Sequence, residues 1–441
     1  MERTLIGQLT EKIGEEVMLK VYLKHNRDLG GVTFLIVEDR TGKAQVVLER
    51  AELLELVKNL HFGSVLEIYG KVAKSKSRGF PVEVVAGEIK ILCAVNEVMP
   101  VDLERNRLKI SIDTELDHRS LTLQHEENKA IFKIQARLVQ AYREYMISLG
   151  ATEFFGPAII GASSEGGAEI FRVPYFGHKA TLAQSSQLYK QTLVKVFERV
   201  FAVAKCFRAE NSNTRRHLTE ATQYEFEMGF INDFNDVMEV LEGAIRFMIG
   251  AIQKDCAGEL AFLKTNLPLL PEGKFPRIKF GEVKEILAGK LDLAGEKDMT
   301  TETEKMICAY TREKFGSDFV FITNFEKGVF YCYKDENGVY QNFDLLCREA
   351  EIVSGGRRID NYEKLVASIT GSGMKPADFS EYLEIFKYGM PPHGGFGLGL
   401  ERSTMLFLGL DNIRKTTLFP SDPKRVAGKR VGALERILKK R

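Results

Sequence analysis

Arginine, histidine and carboxylate side chains cluster between residues 207 and 227, and their types suit the binding of a polyphosphate. Arg208 and Glu210 follow one strand-like apolar run, and Glu225 lies in a second run beyond a polar loop. That loop carries three further basic residues, Arg215, Arg216 and His217. Guanidinium groups make bidentate contacts with phosphate and carboxylate oxygens. The pattern predicts two strands joined by a cationic loop; a surface hairpin with solvated charges is the alternative.

A second candidate segment is the glycine-rich run at residues 394–402, which precedes an apolar helical stretch. It reads Gly-Gly-Phe-Gly-Leu-Gly-Leu-Glu-Arg and ends at Arg402. The spacing differs from the GxGxxG of dinucleotide-binding folds. Because glycine lets the backbone approach a ligand closely, the run predicts a ligand-binding segment with Arg402 at the passage from strand to helix. A glycine patch that serves only helix packing is the alternative.

Two acidic residues, Asp344 and Glu351, lie seven positions apart on what the sequence suggests is one irregular strand. Ser354 follows them closely, and two arginines come next. Mg²⁺ takes few protein carboxylates and leaves coordination positions for phosphate oxygens. The spacing therefore predicts a magnesium site, with solvated acids as the alternative.

The residues before these segments predict a separate β-barrel. Five strand-like runs lie between residues 15 and 92, and a helical stretch at 51–60 separates the third from the fourth. This is the layout of an OB-fold barrel, which often binds single-stranded nucleic acid. A barrel with only a packing role is the alternative. We expect the barrel to span residues 1–103 and residues 104–128 to form a hinge.

The rest of the chain predicts a larger domain, residues 129–425, in which strands and helices are interspersed. An apolar stripe with helical spacing predicts a long helix over 129–149 at its start. Because no regular βαβ rhythm follows, an α+β fold is favoured, with an antiparallel sheet flanked by helices. Residues 426–441 form a basic tail: residues 422–441 carry eight lysines and arginines against two acids.

Composition excludes several classes of protein. The chain has 441 residues, of which 44% are hydrophobic and 28% charged, as in soluble globular proteins. No apolar run is long enough to span a membrane, and the six cysteines form no CxxC pair, which argues against a zinc site or a disulfide framework. We therefore expect a cytoplasmic protein. The net charge of +1 supplies no overall basic field for nucleic acid, so such binding must come from local features.

Taken together and in this order, the motifs resemble those of the class II aminoacyl-tRNA synthetases, and within them the aspartyl family of archaeal and eukaryotic type. The resemblance covers nearly the whole chain. Residues 30–45 resemble the anticodon-binding OB domain, Pro157 the proline of motif 1, residues 207–227 motif 2 and residues 395–402 motif 3. Residues 164–169 and 184–191 are similar to the substrate loops of that family.

The resemblance implies an ATP-dependent aspartate–tRNA ligase. Such an enzyme forms aspartyl-adenylate and pyrophosphate, and then transfers aspartate to the 3′ end of tRNA(Asp), with tRNA(Asn) as a further acceptor left open. It implies that Arg208 and Arg402 are catalytic. The residues that it implies for ATP are Arg208, Glu210, Arg216, His217, Leu218, Glu351, Gly399 and Arg402. Those that it implies for Mg²⁺ are Asp344, Glu351 and Ser354.

The resemblance also implies an aspartate pocket, an anticodon site and a homodimer. The residues implied for aspartate are Glu165, Gln187, Lys190, Arg208, Glu225, Ser354 and Arg358. Lys190 and Arg358 would read the side-chain carboxylate, because a buried carboxylate without a cation is costly. The residues implied for the anticodon are Phe34, Gln45 and Glu83; without the resemblance, Phe34 would be read as a barrel-core aromatic. The helix predicted over 129–149 and Pro157 would form the dimer interface.

Four positions depart from the family pattern. Glu225 replaces the usual aspartate, Ser186 the usual proline and Ser421 the usual arginine, while Lys24 stands where archaeal members place tryptophan or histidine. Lys24 leaves the choice between the aspartate and asparagine anticodons open. The three other departures keep a second hypothesis open, a paralogue that retains the fold as an RNA-binding module. A tRNA-independent ligase that activates aspartate for a small amine is a third, against which the OB domain argues.

Overall fold

The computed structural model describes residues 1–77, 79–105, 107–161, 169–212 and 214–432. The chain divides into two compact units, Met1–Ile110 and Ser111–Arg441. Each unit has its own hydrophobic core. No helix within the described ranges is both long enough and apolar enough to cross a membrane.

The first unit is a closed five-stranded barrel, as predicted. Its elements are β1 (Glu16–Asp28), β2 (Thr33–Asp39), β3 (Gly42–Leu48), α1 (Ala51–Val57), β4 (Val65–Lys74) and β5 (Val82–Cys93). The strand order is β1-β2-β3-β5-β4, and β1 pairs with β4 to close the barrel. Alternate residues such as Leu35 and Val37 fill the core, because successive side chains of a strand point to opposite faces.

The first half of the second unit contains the helix predicted over 129–149. Its elements are α2 (Ile112–Asp117), α3 (Arg119–Thr122), α4 (Glu126–Ser148), β6 (Thr152–Glu153), β7 (Ile159–Ile160), β8 (Arg172–Tyr175), β9 (His178–Leu182), α5 (Gln187–Phe197), β10 (Arg199–Phe207), β11 (Glu220–Gly229), α6 (Phe234–Asp255) and α7 (Ala257–Leu263). The predicted helix is α4, which begins three residues early because His125 caps it: its Nδ1 accepts from the Glu127 amide at 3.1 Å.

The second half supplies most of the central sheet. Its elements are β12 (Arg277–Lys279), α8 (Phe280–Ile286), α9 (Thr301–Phe315), β13 (Phe319–Thr323), β14 (Asn342–Cys347), β15 (Ala350–Arg357), α10 (Tyr362–Gly371), α11 (Ser380–Lys387), β16 (His393–Gly399), α12 (Leu400–Leu408), β17 (Arg425–Val426) and β18 (Lys429–Arg430). The sheet has eight strands in the order β12-β13-β14-β15-β16-β11-β10-β6. The six strands from β13 to β10 pair antiparallel, as predicted, whereas the short edge strands β12 and β6 pair parallel. The sheet is therefore mixed.

The segment predicted as a hinge, residues 104–128, is organised differently. Residues 104–110 belong to the first unit, and the remainder forms α2, α3 and the first turn of α4 in the second unit. Arg119 is buried here, where its Nη1 donates to Glu115 at 2.6 Å and its Nε to the Leu418 carbonyl at 2.9 Å. Polar contacts of this kind, and not an apolar helix face, hold the segment in place, so its sequence shows no apolar periodicity.

The segment predicted as a basic tail, residues 426–441, begins as an ordered hairpin. β17 and β18 pair antiparallel, and Arg425 is buried against α2, where its Nη1 lies 2.7 Å from Asp117 Oδ1. Arg430 makes two hydrogen bonds to the same Asp117 carboxylate, at 2.9 and 2.6 Å. We name residues 425–430 the C-terminal clasp. Residues 433–441 of the predicted tail lie outside the described residues.

Candidate active site

One cavity of about 580 Å³ opens on the central sheet of the second unit. The predicted site residues that line it are Gln187, Lys190, Arg208, Glu210, Arg216, His217, Leu218, Glu225, Asp344, Glu351, Ser354, Arg358, Gly399 and Arg402. They are all the predicted residues of this unit that the structure describes. Glu165 lies outside the described residues. The three predicted anticodon residues lie in the first unit.

The register of the central strands brings the site together. The predicted hairpin is formed by β10 and β11, and β11 also pairs with β16, so that Glu225 lies opposite Gly397 and Glu227 opposite Gly395. Residues two apart on a strand share a face, which places both glutamates on the same side of the sheet. A Cβ at Gly395 would collide with the Glu227 carboxylate and the Phe226 carbonyl. Gly395 therefore makes room for the Glu227 carboxylate next to Glu225, which lines the cavity.

Four charged side chains meet at the floor of the cavity; three of them, Lys190, Glu225 and Arg358, line it, and the fourth, Glu227, is buried beside them. Lys190 Nζ lies 2.6 Å from Glu225 Oε2 and 3.4 Å from Glu227 Oε2, and Arg358 Nε lies 2.8 Å from Glu227 Oε1. All four side chains are buried. Two backbone carbonyls complete the site: that of Phe396 accepts from Lys190, and that of Gly395 from Arg358, each at 2.9 Å. The two cations predicted to read a ligand carboxylate are thus already paired with two carboxylates.

The pKa values of this floor follow from its pairing. Burial alone would raise the pKa of Glu227, but the charges of Arg358 and Lys190 outweigh it and lower that pKa below its usual value. Burial would likewise lower the pKa of Arg358, yet Glu227 raises it. No role for Glu227 was predicted from the sequence. Its spacing of two residues from Glu225 was the available signal, since both must face the same side of a strand.

The rim of the cavity carries the predicted phosphate-binding residues of the hairpin. Arg208 is 41% exposed in its side chain, and its Nη1 lies 3.9 Å from Glu210 Oε1. His217 Nδ1 lies 2.6 Å from the Thr214 hydroxyl. Burial and the charge of Arg402 lower the pKa of His217, so its imidazole is neutral at pH 7. This rim offers an exposed guanidinium beside a neutral histidine.

Two acidic residues that were not predicted from the sequence, Glu304 and Glu349, hold Arg216. Its Nη1 lies 3.2 Å from Glu304 Oε2 on α9, and its Nη2 donates to the Glu349 carbonyl at 3.2 Å. Glu304 is 88 residues away along the chain, and nothing in the local sequence pairs it with the hairpin loop. The contact joins the loop between β10 and β11 to the helix α9.

Arg402 joins the glycine-rich run to the predicted metal site. α12 begins directly after Gly399, which brings Arg402 into its first turn. Arg402 Nη1 donates to the Glu351 carbonyl at 3.0 Å, and the same nitrogen lies 3.9 Å from Glu351 Oε2. The prediction that Arg402 lies at the passage from strand to helix is confirmed.

Asp344 and Glu351 lie on two strands, so the prediction of one irregular strand is wrong. β14 ends at Cys347 and the chain reverses at Arg348, whose φ of 59° is in the left-handed region, before β15 returns. Asp344 pairs with Ser354 across this ladder. The hairpin therefore brings the three predicted metal ligands together more directly than a single strand would.

The electrostatics of this hairpin favour a cation. Burial and the nearby Glu351 raise the pKa of Asp344 well above its usual value, because removal from water and a neighbouring negative charge both disfavour the ionised carboxylate. Within the described ranges, no group of three histidine, cysteine or acidic side chains could hold a metal ion. Two carboxylates and a hydroxyl are nevertheless hard oxygen donors of the kind that Mg²⁺ takes while it keeps water or phosphate ligands. The residues present fit such an ion.

The predicted anticodon residues lie on the barrel of the first unit. Gln45 Nε2 donates to Glu83 Oε2 at 2.8 Å, and the Ser75 hydroxyl donates to the same oxygen at 2.7 Å. Phe34 is half-buried and lies outside the barrel core. The interpretation of Phe34 as a barrel-core aromatic is therefore wrong, because the alternation of β2 turns it to the outer face.

The remaining departures from the family pattern have defined surroundings. Lys24 Nζ lies 3.1 Å from Glu38 Oε2 and 4.3 Å from the centre of the Phe62 ring. The buried hydroxyl of Ser186 has no hydrogen-bond partner among the described residues. Ser421 connects two segments: its carbonyl accepts from the Thr219 amide of the hairpin, and its hydroxyl accepts from Ala427 in the C-terminal clasp.

Comparison with known proteins covers both units. The family described as tRNA synthetases class II (D, K and N) matches residues 111–423, and the family described as OB-fold nucleic acid binding domain matches residues 16–92. These matches confirm the resemblance predicted from the motifs, and they agree with the barrel and the larger sheet domain.

Individual relatives match over nearly their full length. The aspartate–tRNA(Asp/Asn) ligase of Thermus thermophilus is 40% identical over 426 residues, which cover 96% of this chain and 99% of that protein. The ligase of the same name from Methanopyrus kandleri is 41% identical over 424 residues, which cover 94% and 97%. The solved structure of asparaginyl-tRNA synthetase from Pyrococcus horikoshii with asparaginyl-adenylate matches with a TM-score of 0.90 and 32% identity, over 97% of this chain and 99% of that one. The chain belongs to the class II tRNA synthetases, in the family of the aspartate–tRNA ligases.

Proposed function

We propose that the protein is an aspartate–tRNA ligase, which activates L-aspartate with ATP and transfers it to the 3′ end of tRNA(Asp). The observation that carries this proposal is the cavity, which combines two buried cations in its floor with arginines at its rim. The names of the two relatives support it over an RNA-binding paralogue. The barrel supports a tRNA substrate over a small amine acceptor, since a ligase for small amines needs no anticodon reader.

The floor of the cavity is the proposed aspartate pocket. Arg358 commits Nε and Nη2 to Glu227 and to a backbone carbonyl, and its Nη1 has no hydrogen-bond partner among the described residues. A ligand carboxylate bound near Arg358 Nη1 and Lys190 would be paired with these cations, which offsets the cost of removing its charge from water. An asparagine amide carries no charge, so it gains less from these cations than a carboxylate does. Gln187 and Glu225 offer oxygens for the ligand ammonium group.

The chemistry needs no nucleophilic side chain. The α-carboxylate of aspartate attacks the α-phosphorus of ATP, the bond to the bridging oxygen breaks, and pyrophosphate leaves with that electron pair. Arg208 at the rim would hold the α-phosphate and the attacking carboxylate, and Arg402 would bind the departing phosphates. Catalysis is then positioning together with charge neutralisation.

Arg216, His217 and Glu210 would hold the rest of ATP. The neutral His217 can stack and donate without adding positive charge. Arg216 must exchange its contacts with Glu304 and Glu349 for phosphate oxygens when ATP binds. Both carboxylates lie within salt-bridge distance of the guanidinium, so they keep it near the phosphate path.

Asp344, Glu351 and Ser354 would hold Mg²⁺. When bound, the ion neutralises phosphate charge in the transition state. The raised pKa of Asp344 supports this assignment, because a divalent cation would remove the repulsion between the two carboxylates. Ser354 also lines the cavity and would contact the aspartate as well.

The barrel of the first unit is the proposed anticodon reader. Phe34 offers a ring on the outer face for stacking on an unpaired base. The hydrogen bond between Gln45 and Glu83 fixes the direction of two polar side chains that could read base edges. Lys24 is paired with Glu38, and charging assays with both tRNAs decide whether tRNA(Asn) is accepted.

We also infer a homodimer that acts in the cytoplasm. Apolar side chains near Pro157 are exposed in the single chain: Phe155 by 88%, Ile147 by 62% and Ile159 by 50%. A second copy would bury them. None of the six cysteines forms a disulfide, which is consistent with a reducing compartment.

The test is ATP–pyrophosphate exchange by the purified protein with Mg²⁺ and aspartate, asparagine or glutamate, followed by charging of tRNA(Asp) and tRNA(Asn). We expect exchange with aspartate alone and charging of tRNA(Asp). Absence of aspartate-dependent exchange, or equal exchange with asparagine, would overturn the proposal. Exchange without charging of either tRNA would favour a small-amine ligase instead.

A further inference from the structure

A chain of buried hydrogen bonds lies behind the wall of the proposed aspartate pocket. Gln187 lines the cavity, and its Nε2 lies 3.0 Å from Oε1 of Gln191, one turn later on α5. The Tyr382 hydroxyl contacts the same Oε1 at 3.1 Å. Gln191 Nε2 lies 3.0 Å from His393 Nε2, and His393 Nδ1 lies 2.9 Å from the Pro391 carbonyl. Gln191, Tyr382 and His393 are buried and do not line the cavity.

The Pro391 carbonyl, at the end of this series of hydrogen bonds, determines which group donates and which accepts at each step. A carbonyl oxygen can only accept, so His393 Nδ1 must carry the hydrogen that it donates to Pro391. Burial lowers the pKa of His393, which keeps the imidazole neutral and leaves Nε2 as an acceptor. The group of Gln191 that faces His393 Nε2 is therefore its NH₂. Reversal of that amide would place two acceptors face to face in a buried site.

The orientation of the Gln191 amide in turn fixes the orientation of the Gln187 amide. With its NH₂ toward His393, Gln191 presents Oε1 to Gln187, which must answer with its own NH₂. The carbonyl oxygen of Gln187 is then the end of the amide left for a ligand, and it has no hydrogen-bond partner among the described residues. The Tyr382 hydroxyl can donate or accept, so it follows the direction of Gln191 and does not set it.

We propose that Gln191 and His393 are positioning residues that turn the carbonyl oxygen of Gln187 toward the ammonium group of the amino acid. The proposal rests on the proposed function, since it assumes that the ligand is aspartate. Under this proposal, Gln191 and His393, which lie outside the cavity, determine whether Gln187 presents an acceptor or a donor to the ammonium group. A reversed Gln187 would present its NH₂ to a cation.

The test compares aspartate with succinate, which is aspartate without its amino group. The KM for aspartate and the inhibition constant of succinate as a competitor are measured in the exchange assay. For Gln191→Met and for His393→Leu, we expect the KM for aspartate to rise about 10-fold, as for a lost charge-assisted hydrogen bond. The inhibition constant of succinate and the KM for ATP should change less than about 2-fold. Tyr382→Phe is the matched control and should leave the preference for aspartate over succinate unchanged.

Each outcome decides the proposal. An unchanged preference in both variants would overturn it, and so would equal weakening of both ligands, which is the result of a merely structural role. If Gln191→Met does not fold, His393→Leu carries the test, since it leaves both glutamines in place and removes the acceptor that orients Gln191, together with the donor to the Pro391 carbonyl. A wild-type protein that shows no exchange with aspartate refutes the proposed function itself, and the two failures are thus distinct.

Discussion

Lys190 and Glu225 form a buried ion pair in the cavity floor, with Nζ and Oε2 2.6 Å apart and side-chain exposures of 1% and 3%. Glu225 stands where the family pattern has an aspartate, and its extra methylene extends its reach toward Lys190. The cation is therefore balanced before any ligand enters. A ligand carboxylate must share Lys190 with Glu225. We therefore expect substitutions of this pair to affect aspartate binding more than substitutions elsewhere in the pocket.

Replacement of Lys190 by methionine should remove aspartate activation and also destabilise the fold. Glu225 loses its partner in a buried site, which costs about 3–5 kcal/mol in comparable pairs. We expect aspartate-dependent exchange to fall at least about 1,000-fold, on the order of 4 kcal/mol. The measurements are exchange rates and thermal unfolding.

The double variant Lys190→Met, Glu225→Gln separates the two effects. It removes both charges of the pair, so we expect most of the lost stability to return while activity stays absent. Recovery of exchange in the double variant would show that Lys190 does not read the substrate.

Asp344→Asn should stabilise the metal-free protein and abolish its use of Mg²⁺. The pKa of Asp344 is raised in the folded protein, so the folded state binds this proton more tightly than the unfolded state. Stability of the metal-free protein must then fall as the pH rises through the interval between the two pKa values. Asparagine does not titrate, so the variant does not lose stability in this way as the pH rises.

Thermal unfolding in EDTA between pH 5 and pH 8 checks the first part. We expect the midpoint of Asp344→Asn to exceed that of the wild type at the upper end of this range, and added Mg²⁺ to raise only the wild-type midpoint. Exchange activity of the variant should fall at least about 100-fold. Equal responses of both proteins to Mg²⁺ would argue against a metal site at Asp344.

Arg208→Ala should impair the chemical step with little effect on folding. The side chain is 41% exposed, so its loss leaves no cavity in the core. Loss of one charge-stabilising donor typically lowers kcat about 100- to 1,000-fold. Exchange kinetics and thermal unfolding should show this drop at an unchanged unfolding midpoint.

Lys205→Ala is the matched control for Arg208. Lys205 lies on β10, three residues before Arg208, which directly follows that strand. It is also a half-exposed cation, and it pairs with Glu220 outside the cavity. Its exchange rate should equal that of the wild type. A similar loss in both variants would indicate a general effect of charge and not a specific contact at Arg208.

Phe34→Ala should weaken tRNA charging and leave aspartate activation intact. Base stacking on an aromatic side chain contributes about 1–3 kcal/mol, so kcat/KM for tRNA(Asp) should fall between about 5-fold and 150-fold. Leu56→Ala, an exposed apolar residue on α1 of the same barrel, should affect neither reaction. If exchange falls together with charging in Phe34→Ala, the residue has a structural role.

Local sequence patterns predicted the barrel and the two hairpin strands of the site. They failed where the residues in contact are far apart along the chain. The alternation in β2 and the turn residues around it are local, so the five strands followed from the sequence. The edge strands β6 and β12 have two and three residues, too few for any period to show. Glu227 and Arg358 are 131 residues apart, and no spacing in the sequence reports that they meet.

The same limit explains which residues in and around the cavity were predicted and which were missed. Arg208, Glu351 and Arg402 stand in recognisable segments, whereas Glu304 and His393 act through partners in other elements. Gln187 and Gln191 are one helical turn apart, and this i, i+4 spacing was the only local sign of the hydrogen-bond chain.

The C-terminal clasp also bears on the order in which the protein is made. Arg425 and Arg430 bond to Asp113 and Asp117, which precede them by 312 and 313 positions. During synthesis the barrel, Met1–Ile110, has all its own residues available long before these arginines leave the ribosome. The helices α2 and α3 must wait for partners that are translated after the whole central sheet. A chain that stops early therefore carries a complete barrel beside unfinished helices, and such exposed segments are what chaperones and proteases detect.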